Sequence, residues 1–527
     1  MLINAEGRRI PLAGVDGACG AVAQELRRRG IGERSRVLLT GENTQEFLLA
    51  LFALMECGVS VALVDRRIPA AQQAELATGA GVDLVLTDSP LPEAGQPAGV
   101  GRVLLADLIA AAGAEPGEGT GAAGRLDFGR WFARDDALIV WSSGSTGAPK
   151  GIVRSGASVA ANIERTARRM AYRADDVLLP LLPFTHQYGL SMLLLWRQTG
   201  ATLVLQTSSR RVDRALEAIA AHGVTVVDAV PATYLTLLNL VDGSRARADA
   251  LGGVRMWCVG GEPLARELAG RFVRTVGSPL LDGYGSSEAG NIALAVHPDP
   301  RGCGRPLDGI EVRVLDDAGH EVPAGETGEV VVRTPDYMTG LLGPGGTVLP
   351  VEREAYRTDD IGRLDAEGNL TVLGRKDAVH RNGHTLYPDA IADRAGACGV
   401  PVRVVPVQGG RDDRVHLVFF VADPEQGPAA AWRQTLAGYV AEHERPNRVV
   451  VLQEFPLNNT GKVDRRELRE LAQREIATRE TARREFVRRD VLSPEEAPRG
   501  KALREVTLRE AVPREAVPGE SMRGVLQ

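Results

Sequence analysis

Apolar and polar positions follow two different periods along this chain, and the change of period marks its organisation. From residue 15 to Gly30 apolar side chains recur at helical spacing, and the glycine supplies the stop. Arg36–Thr40 and Ser60–Val64 are short buried strands, with an apolar helix over Gln45–Cys57 between them. The residues from Asp88 to Arg130 are rich in Pro, Gly and Ala and read as a surface connection with one short helix near Leu104–Ala112. A strand at Ala137–Trp141, strand-like residues at Gly151–Val153, a helix at Ser158–Ala171 and a strand at Val177–Pro183 follow. The helix Leu190–Gln198 is apolar almost throughout. Val224–Val230 then turns into the helix Pro231–Leu240, and Met256–Val259 and Pro279–Leu281 are further strands. Strands and helices alternating in this way predict βα layers around largely parallel sheets.

Beyond Arg305 the pattern shortens to strands of period two, clearest at Glu311–Leu315, Gly328–Arg333 and Asn369–Leu373. These predict a small β-rich subdomain. Strands at Val402–Val407, Val415–Val421 and Arg448–Leu452, with a helix over Ala429–His443, predict a small α+β unit after it. The last stretch, 466–527, is dense in Arg and Glu with interspersed Pro. Its first part suits an exposed helix and its remainder a flexible tail.

Composition changes this picture little. The 527 residues are enough for several domains with large cores. With 44% hydrophobic and 25% charged residues the chain has the balance of a globular protein. A net charge of −6 gives no reason to expect nucleic acid as a partner. No apolar run reaches membrane-spanning length and the first residues lack the apolar core of a signal peptide, so no membrane span is expected. Cys19, Cys57, Cys258, Cys303 and Cys398 are odd in number and scattered, which suits free thiols in a reducing cytoplasm. Lysine is more telling: only Lys150, Lys376, Lys462 and Lys501 occur among 62 basic residues. Arginine has replaced lysine where charge alone matters, so lysine should persist where a compact, strongly hydrated charge is needed.

The first of these lysines closes the loop Ser142-Ser143-Gly144-Ser145-Thr146-Gly147-Ala148-Pro149-Lys150. Glycines let backbone N–H groups converge on one point, hydroxyls add donors and the lysine adds charge, a combination that suits a polyphosphate. It is no Walker A loop, because Gly151 follows the lysine where Ser or Thr would be needed. The stretch resembles the phosphate loop of the adenylate-forming superfamily, which comprises acyl-CoA synthetases, carrier-protein adenylation domains and luciferases. Later stretches are similar to that family's other motifs, in the same order.

The resemblance implies roles for each. The Pro-x-x-His-x-x-Gly run from Pro183 to Gly189, with His186, matches the aromatic motif that lies between nucleotide and acid pockets. Phe184–Gly189 lacks the Asp with which amino-acid adenylation domains bind an ammonium, so an uncharged acyl or aryl tail is expected. That tail would lie along His186, Tyr188, Gly189, Ala229, Thr233, Tyr234 and Gly260. Gly260, Gly261 and Glu262, with Asp282, Gly283, Tyr284, Gly285, Ser286 and Ser287, would flank the adenine and α-phosphate, and Tyr284 would cover the base. Glu288 would hold Mg²⁺. Ser287 stands where Thr is usual and keeps the hydroxyl. In Tyr356-Arg357-Thr358-Asp359-Asp360 the last carboxylate would take the ribose hydroxyls, while Asp359 replaces a glycine.

Arg375 would contact ribose or phosphates and Asp377 would be the hinge. His380 to Pro388 resembles the loop that approaches the acceptor thiol, although Asp389-Ala390-Ile391-Ala392-Asp393 follows where Glu-Ile-Glu is common. His380 and His384 stand four apart with no third ligand in sequence, which argues against a metal site. Phe455 to Arg465 resembles the terminal motif whose lysine, here Lys462, drives adenylation.

The expected fold class is therefore α/β, with a large N-terminal domain of βα layers and a small mobile α+β C-terminal domain. The boundaries are 1–374 for the large domain with the β-rich part at about 305–373, 375–470 for the small domain after the hinge, and 471–527 for the tail. The expected function is ATP- and Mg²⁺-dependent activation of an organic acid as acyl-adenylate, with catalytic roles for Lys462, Lys150, Ser287, Glu288 and His186, followed by transfer to CoA. A second reading is a stand-alone adenylating enzyme that loads a carrier-protein phosphopantetheine thiol or an amine. A third activates an oxyacid that is not carboxylic. A non-catalytic nucleotide-binding protein is the reading from another class, and the motif residues argue against it. Sequence leaves the acid and the oligomeric state open.

Overall fold

The computed structural model describes residues 1–478 apart from 90–99, 115–124, 143–148, 208–210, 242–250, 265, 317, 376–378, 382–383, 387, 410–413, 457–462 and 465–466. Residues Met1–Glu475 form one compact unit. Two large sheets dominate it. The nine-stranded sheet has a parallel centre of Leu280–Ser286, Met256–Gly260, Val226–Ala229, Val177–Pro180, Thr202–Val204 and Leu2–Ile3 in that spatial order. The eight-stranded sheet runs Leu138–Ser142, Ser60–Leu63, Arg36–Thr40, Leu84–Thr87 and Gly101–Leu104 in parallel, with Lys150–Arg154 added antiparallel.

One core joins the two sheets. The helix Gln45–Glu56 starts at Thr44, whose hydroxyl accepts from the Phe47 N–H, and every residue from Phe47 to Met55 is buried. A helix apolar all round must be enclosed on all sides. It shares its core with the helices Leu12–Arg28 and Gln187–Thr199, with Val37, Leu63 and Val140 of one sheet, and with Leu178, Met256 and Leu281 of the other. Glu311–Leu315, Gly328–Arg333, Tyr356–Leu364 and Leu370–Arg375 form a four-stranded antiparallel sheet. Its core includes Ile292 and Ala293 of the strand Gly290–Leu294, which anchors it to the nine-stranded sheet. Val402–Gln408, Val415–Ala422 and Arg448–Leu452 make a three-stranded sheet, packed with the helix Pro388–Gly396 around a separate core.

The expected α/β class with a β-rich part and a small C-terminal unit is observed, and four local expectations are corrected. The strand expected to end at Leu281 runs on to Ser286, because Gly290–Leu294 folds back and gives those residues ladder partners. The helix expected to reach His443 stops at Leu436, before Gly438, and His443 sits on a separate short 3₁₀ turn, Glu442–Glu444. The connection after Asp88 contributes the edge strand Gly101–Leu104 besides the expected helix, here Leu105–Ala112. The helix beginning at residue 467 is not solvent-facing all round: Leu468 and Ala472 are buried, and Glu475 pairs with Arg448 at 3.1 Å. Among the described residues no helix is long and apolar enough to cross a membrane.

Candidate active site

The expected phosphate loop joins two paired strands. Ser142 and Lys150 face each other across the antiparallel ladder, so both ends of the loop are fixed even though 143–148, and with them Ser143, Gly144, Ser145, Thr146 and Gly147, lie outside the described residues. Lys150 is exposed, and both it and Ser142 line a cavity of about 1100 Å³. Gly260, at the end of its strand, and Gly283, within the next, are register partners on the same cavity. A Cβ at residue 260 would come within 3.1 Å of the Gly283 carbonyl and 3.2 Å of the Tyr188 ring, so the ring lies close over the strand only because glycine is there.

Beyond Gly283, Tyr284 donates its hydroxyl to Asp360 Oδ2 at 2.6 Å. Burial, then the Asp360 charge, raises the phenol well above its usual range. Asp360 in turn is the register partner of Arg375 on the neighbouring strand, whose side chain lies outside the described residues. Asp359 adopts a left-handed φ of 60°, and three residues from Thr358 to Asp360 span the register shift in the pairing with Gly328–Arg333. That is the geometry of a β-bulge, where glycine is favoured and aspartate tolerated. Asp282 is driven up to about 7 by burial, eased by a 3.3 Å hydrogen bond from the Cys303 thiol and by the Gly283 N–H.

Gly261, Glu262, Gly285, Ser286, Ser287 and Glu288 also line the cavity. The Glu288 backbone carbonyl accepts from the Met338 N–H at 2.8 Å, while no described residue hydrogen-bonds its carboxylate. A single uncommitted carboxylate beside a polyphosphate site suits Mg²⁺, which is bound through one or two carboxylates together with substrate phosphates. No cluster of three or more metal-ligating side chains exists among the described residues.

A buried group that sequence reading passed over lies behind Glu288. Arg154 is fully buried and donates Nη2 to the Asp336 carbonyl at 3.0 Å. Burial lowers it to about 10 against the opposing charges of Asp336 and Glu288. Asp336 also takes bonds from Arg165 at 2.5 Å and Asn162 at 3.1 Å, and Asn162 clasps the Asn291 backbone at 2.9 Å. The i, i+3 spacing of Asn162 and Arg165 on one helix was the available signal, but Asp336 lies too far along the chain to be linked without coordinates.

His186 stands at the start of the helix Gln187–Thr199, and its Nε2 lies 2.8 Å from Asp65 Oδ2. Burial alone would push that carboxyl up, but His186 and Arg67, the latter 2.5 Å away, together hold it well below the carboxylate range. The hairpin Val379–Arg381 and His384–Leu386 reaches the same wall: the His384 ring stacks on His443 at 3.8 Å and meets His186 edge-on at 6.1 Å. Burial first, and then the neighbouring His443, His186 and Arg67, keep His384 far below its usual value, and burial lowers His443 to about 4.

The expected acid pocket needs correcting. Tyr188, Gly189 and Thr233 line the cavity. Ala229 and Tyr234 do not: both are fully buried, and Tyr234 packs edge-on to Trp257 and Phe272 with its hydroxyl donated to the Val227 and Cys258 carbonyls. Alternation along the strand turns Ala229 to the opposite face from Asp228. The lining is also not free of acids, because Asp228 contributes to it. Asp377 and Lys462 lie outside the described residues.

Glycine-rich strand ends, a lysine hairpin, a tyrosine–aspartate pair and a histidine wall around one cavity define the architecture of an adenylate-forming enzyme. The sequence model of the AMP-binding enzyme family matches residues 2–342, and the chain belongs to that family. It is 29% identical over 491 residues to the indoleacetate–CoA ligase of Aromatoleum aromaticum, covering 88% of this chain and 94% of that one. Its fold matches the o-succinylbenzoate CoA synthetase of Bacillus subtilis with a TM-score of 0.74 at 22% identity, over 89% of this chain and 95% of the other. It matches the amide bond synthetase McbA of Marinactinospora thermotolerans with a TM-score of 0.73 at 22% identity, over 89% and 96%.

Proposed function

We propose that the protein activates an organic carboxylic acid with ATP and transfers the acyl group to CoA. The observation that carries this reading is that the nucleotide residues Lys150, Tyr284, Glu288 and Asp360, the acid-side His186 and the acceptor-side hairpin with His384 all open on one cavity. An acid oxygen attacks the α-phosphate, the bond to the bridging oxygen breaks and pyrophosphate leaves. Mg²⁺, when held by Glu288, supplies charge neutralisation to the departing phosphates. Lys150 adds positive charge on the same side, Tyr284 covers the base and Asp360 accepts from the ribose. Lys462 is assigned to the charge that builds between acid and α-phosphate, on the strength of the terminal motif. In the second step the acceptor thiolate attacks the acyl carbon, the carbon–oxygen bond to phosphate breaks and AMP leaves.

Rotation of the small domain, 375–470, about Asp377 would exchange Lys462 for the hairpin between the two steps. The name of the Aromatoleum relative supports CoA as acceptor. The departure from Glu-Ile-Glu at 389–393 favours the second reading, a carrier-protein thiol or an amine as acceptor. Four buried free cysteines support a reducing, cytoplasmic setting. The test is acid-dependent ATP–pyrophosphate exchange over a broad acid panel, followed by thioester detection with CoA. Exchange with no acid would overturn the proposal, and exchange without thioester would move it to the second reading.

A further inference from the structure

Asp228 is the one feature of the acid pocket that the resemblance does not account for. It sits in the middle of the nine-stranded sheet, between two parallel neighbours, and is 1% exposed. Its neighbours in sequence, Val226, Val227 and Ala229, are fully buried and apolar, as a central strand requires. A valine at 228 would continue the apolar pattern of the strand, so burial alone does not call for a carboxyl. Strand alternation turns the side chain toward the helix Gln187–Thr199, where Tyr188 donates its hydroxyl to Oδ1 at 3.0 Å. Among the described residues Oδ2 has no hydrogen-bond partner. Cys258, its register partner on the next strand, lies beside it, and Tyr172 closes the same end of the cavity.

A buried carboxyl with one oxygen unmet is expensive. The cost shows in its acidity: burial drives it up to about 7, and the Tyr188 hydroxyl and the neighbouring Cys258 thiol offset only part of the rise. The same cavity is also lined by the apolar Met192, Leu195 and Leu281. Apolar lining with an under-satisfied acceptor among it is the arrangement that fixes the orientation of a small ligand.

We infer that Asp228 sets the specificity of the acid pocket, and that the acid activated carries a hydrogen-bond donor, a hydroxyl or an amine, on the part of its tail that meets Oδ2. The inference rests on the acid-activating reading above. A ligand donor at Oδ2 removes the desolvation cost that the free protein carries, whereas a plain hydrocarbon tail leaves it in place. Sites built to bond a substrate donor reject the analogue without it far more strongly than apolar pockets reject a missing methylene.

The test uses the full-length protein and matched acids that differ only in a terminal methyl, hydroxyl or amino group, read by pyrophosphate exchange, with ATP binding measured separately. The wild type should favour one donor-bearing acid over the methyl acid by about tenfold or more in kcat/KM. The winning arm identifies the donor as hydroxyl or amine. Asp228→Val should reverse the preference while still binding ATP. Asp228→Asn, which keeps the shape and the Tyr188 contact, should lose most of it. A wild type that prefers the methyl acid, or a preference unchanged in both variants, overturns the inference. Exchange with none of the acids despite intact ATP binding would instead overturn the acid-activating reading on which it stands.

Discussion

Tyr284 and Asp360, 76 residues apart in sequence, are joined by a 2.6 Å hydrogen bond that ties the nine-stranded sheet to the four-stranded one. The family resemblance gives the two residues different parts of the nucleotide, base and ribose, and the bond makes them one unit. A hydrogen bond to a charged group contributes about 1.5–3 kcal/mol. Tyr284→Phe keeps the ring and should lower stability by about that amount in denaturant titration, with a less than about tenfold rise in the KM for ATP. Asp360→Ala removes the ribose acceptor itself and should raise that KM more than Tyr284→Phe does. Equal effects of the two would show that the carboxylate serves the tyrosine alone.

The histidine pair gives a pH dependence with a definite sign. His443 titrates near 4 in the folded protein and near 6.5 when exposed, so the unfolded chain binds the extra proton between those values. Stability contributed by the neutral ring is present above about 6.5 and falls as pH drops toward about 4. The stability difference between wild type and His443→Asn should therefore shift in favour of the variant as pH falls from 6.5 to 4, by at most about 3 kcal/mol. A difference that stays flat across that window would mean the ring is solvated.

At Asp359 the left-handed backbone predicts an ordering of variants. Left-handed backbone costs a residue with a side chain about 1–2 kcal/mol, least for Asp and Asn. Asp359→Gly should be at least as stable as the wild type, and Asp359→Val less stable by about 1–2 kcal/mol. Thermal denaturation decides it; a valine variant as stable as the glycine one would contradict the strained bulge.

Lys462→Ala should leave a folded protein that binds ATP while adenylate formation slows about 10²–10³-fold, the usual effect of removing one transition-state donor. Single-turnover pyrophosphate release measures the step directly. An unchanged rate would remove Lys462 from the chemistry.

The helix beginning at residue 467 makes the effect of truncation depend on where the chain is cut. Truncation after Leu471 removes buried Ala472 and the Glu475–Arg448 pair, so it should lower stability by about 1–2 kcal/mol. Truncation after Thr478 should leave stability and adenylation rate unchanged. If both truncations behave alike, the packing of that helix contributes nothing.

The α/β layering and the order of the nucleotide motifs were legible in the sequence because each depends on local chemistry. Period-two and period-3.6 patterns follow from which face of an element is buried, and a glycine-rich turn needs its residues consecutive. Thus Arg36–Thr40 is a strand within the same bounds as read from pattern alone, and Lys150, Glu288 and Asp360 line one cavity. What pairs with what was decided by tertiary structure. His186 meets Asp65, Arg154 lies behind Glu288, and His384 stacks on His443 across separations that no periodicity records. Asp228 is the sharpest case. In sequence it is one acid inside the apolar run Val224–Val230, and whether it faces solvent, core or substrate depends on which strands flank it. Sheet pairing shuts water out on both sides, and only then does one carboxyl oxygen stand unmet among the described residues.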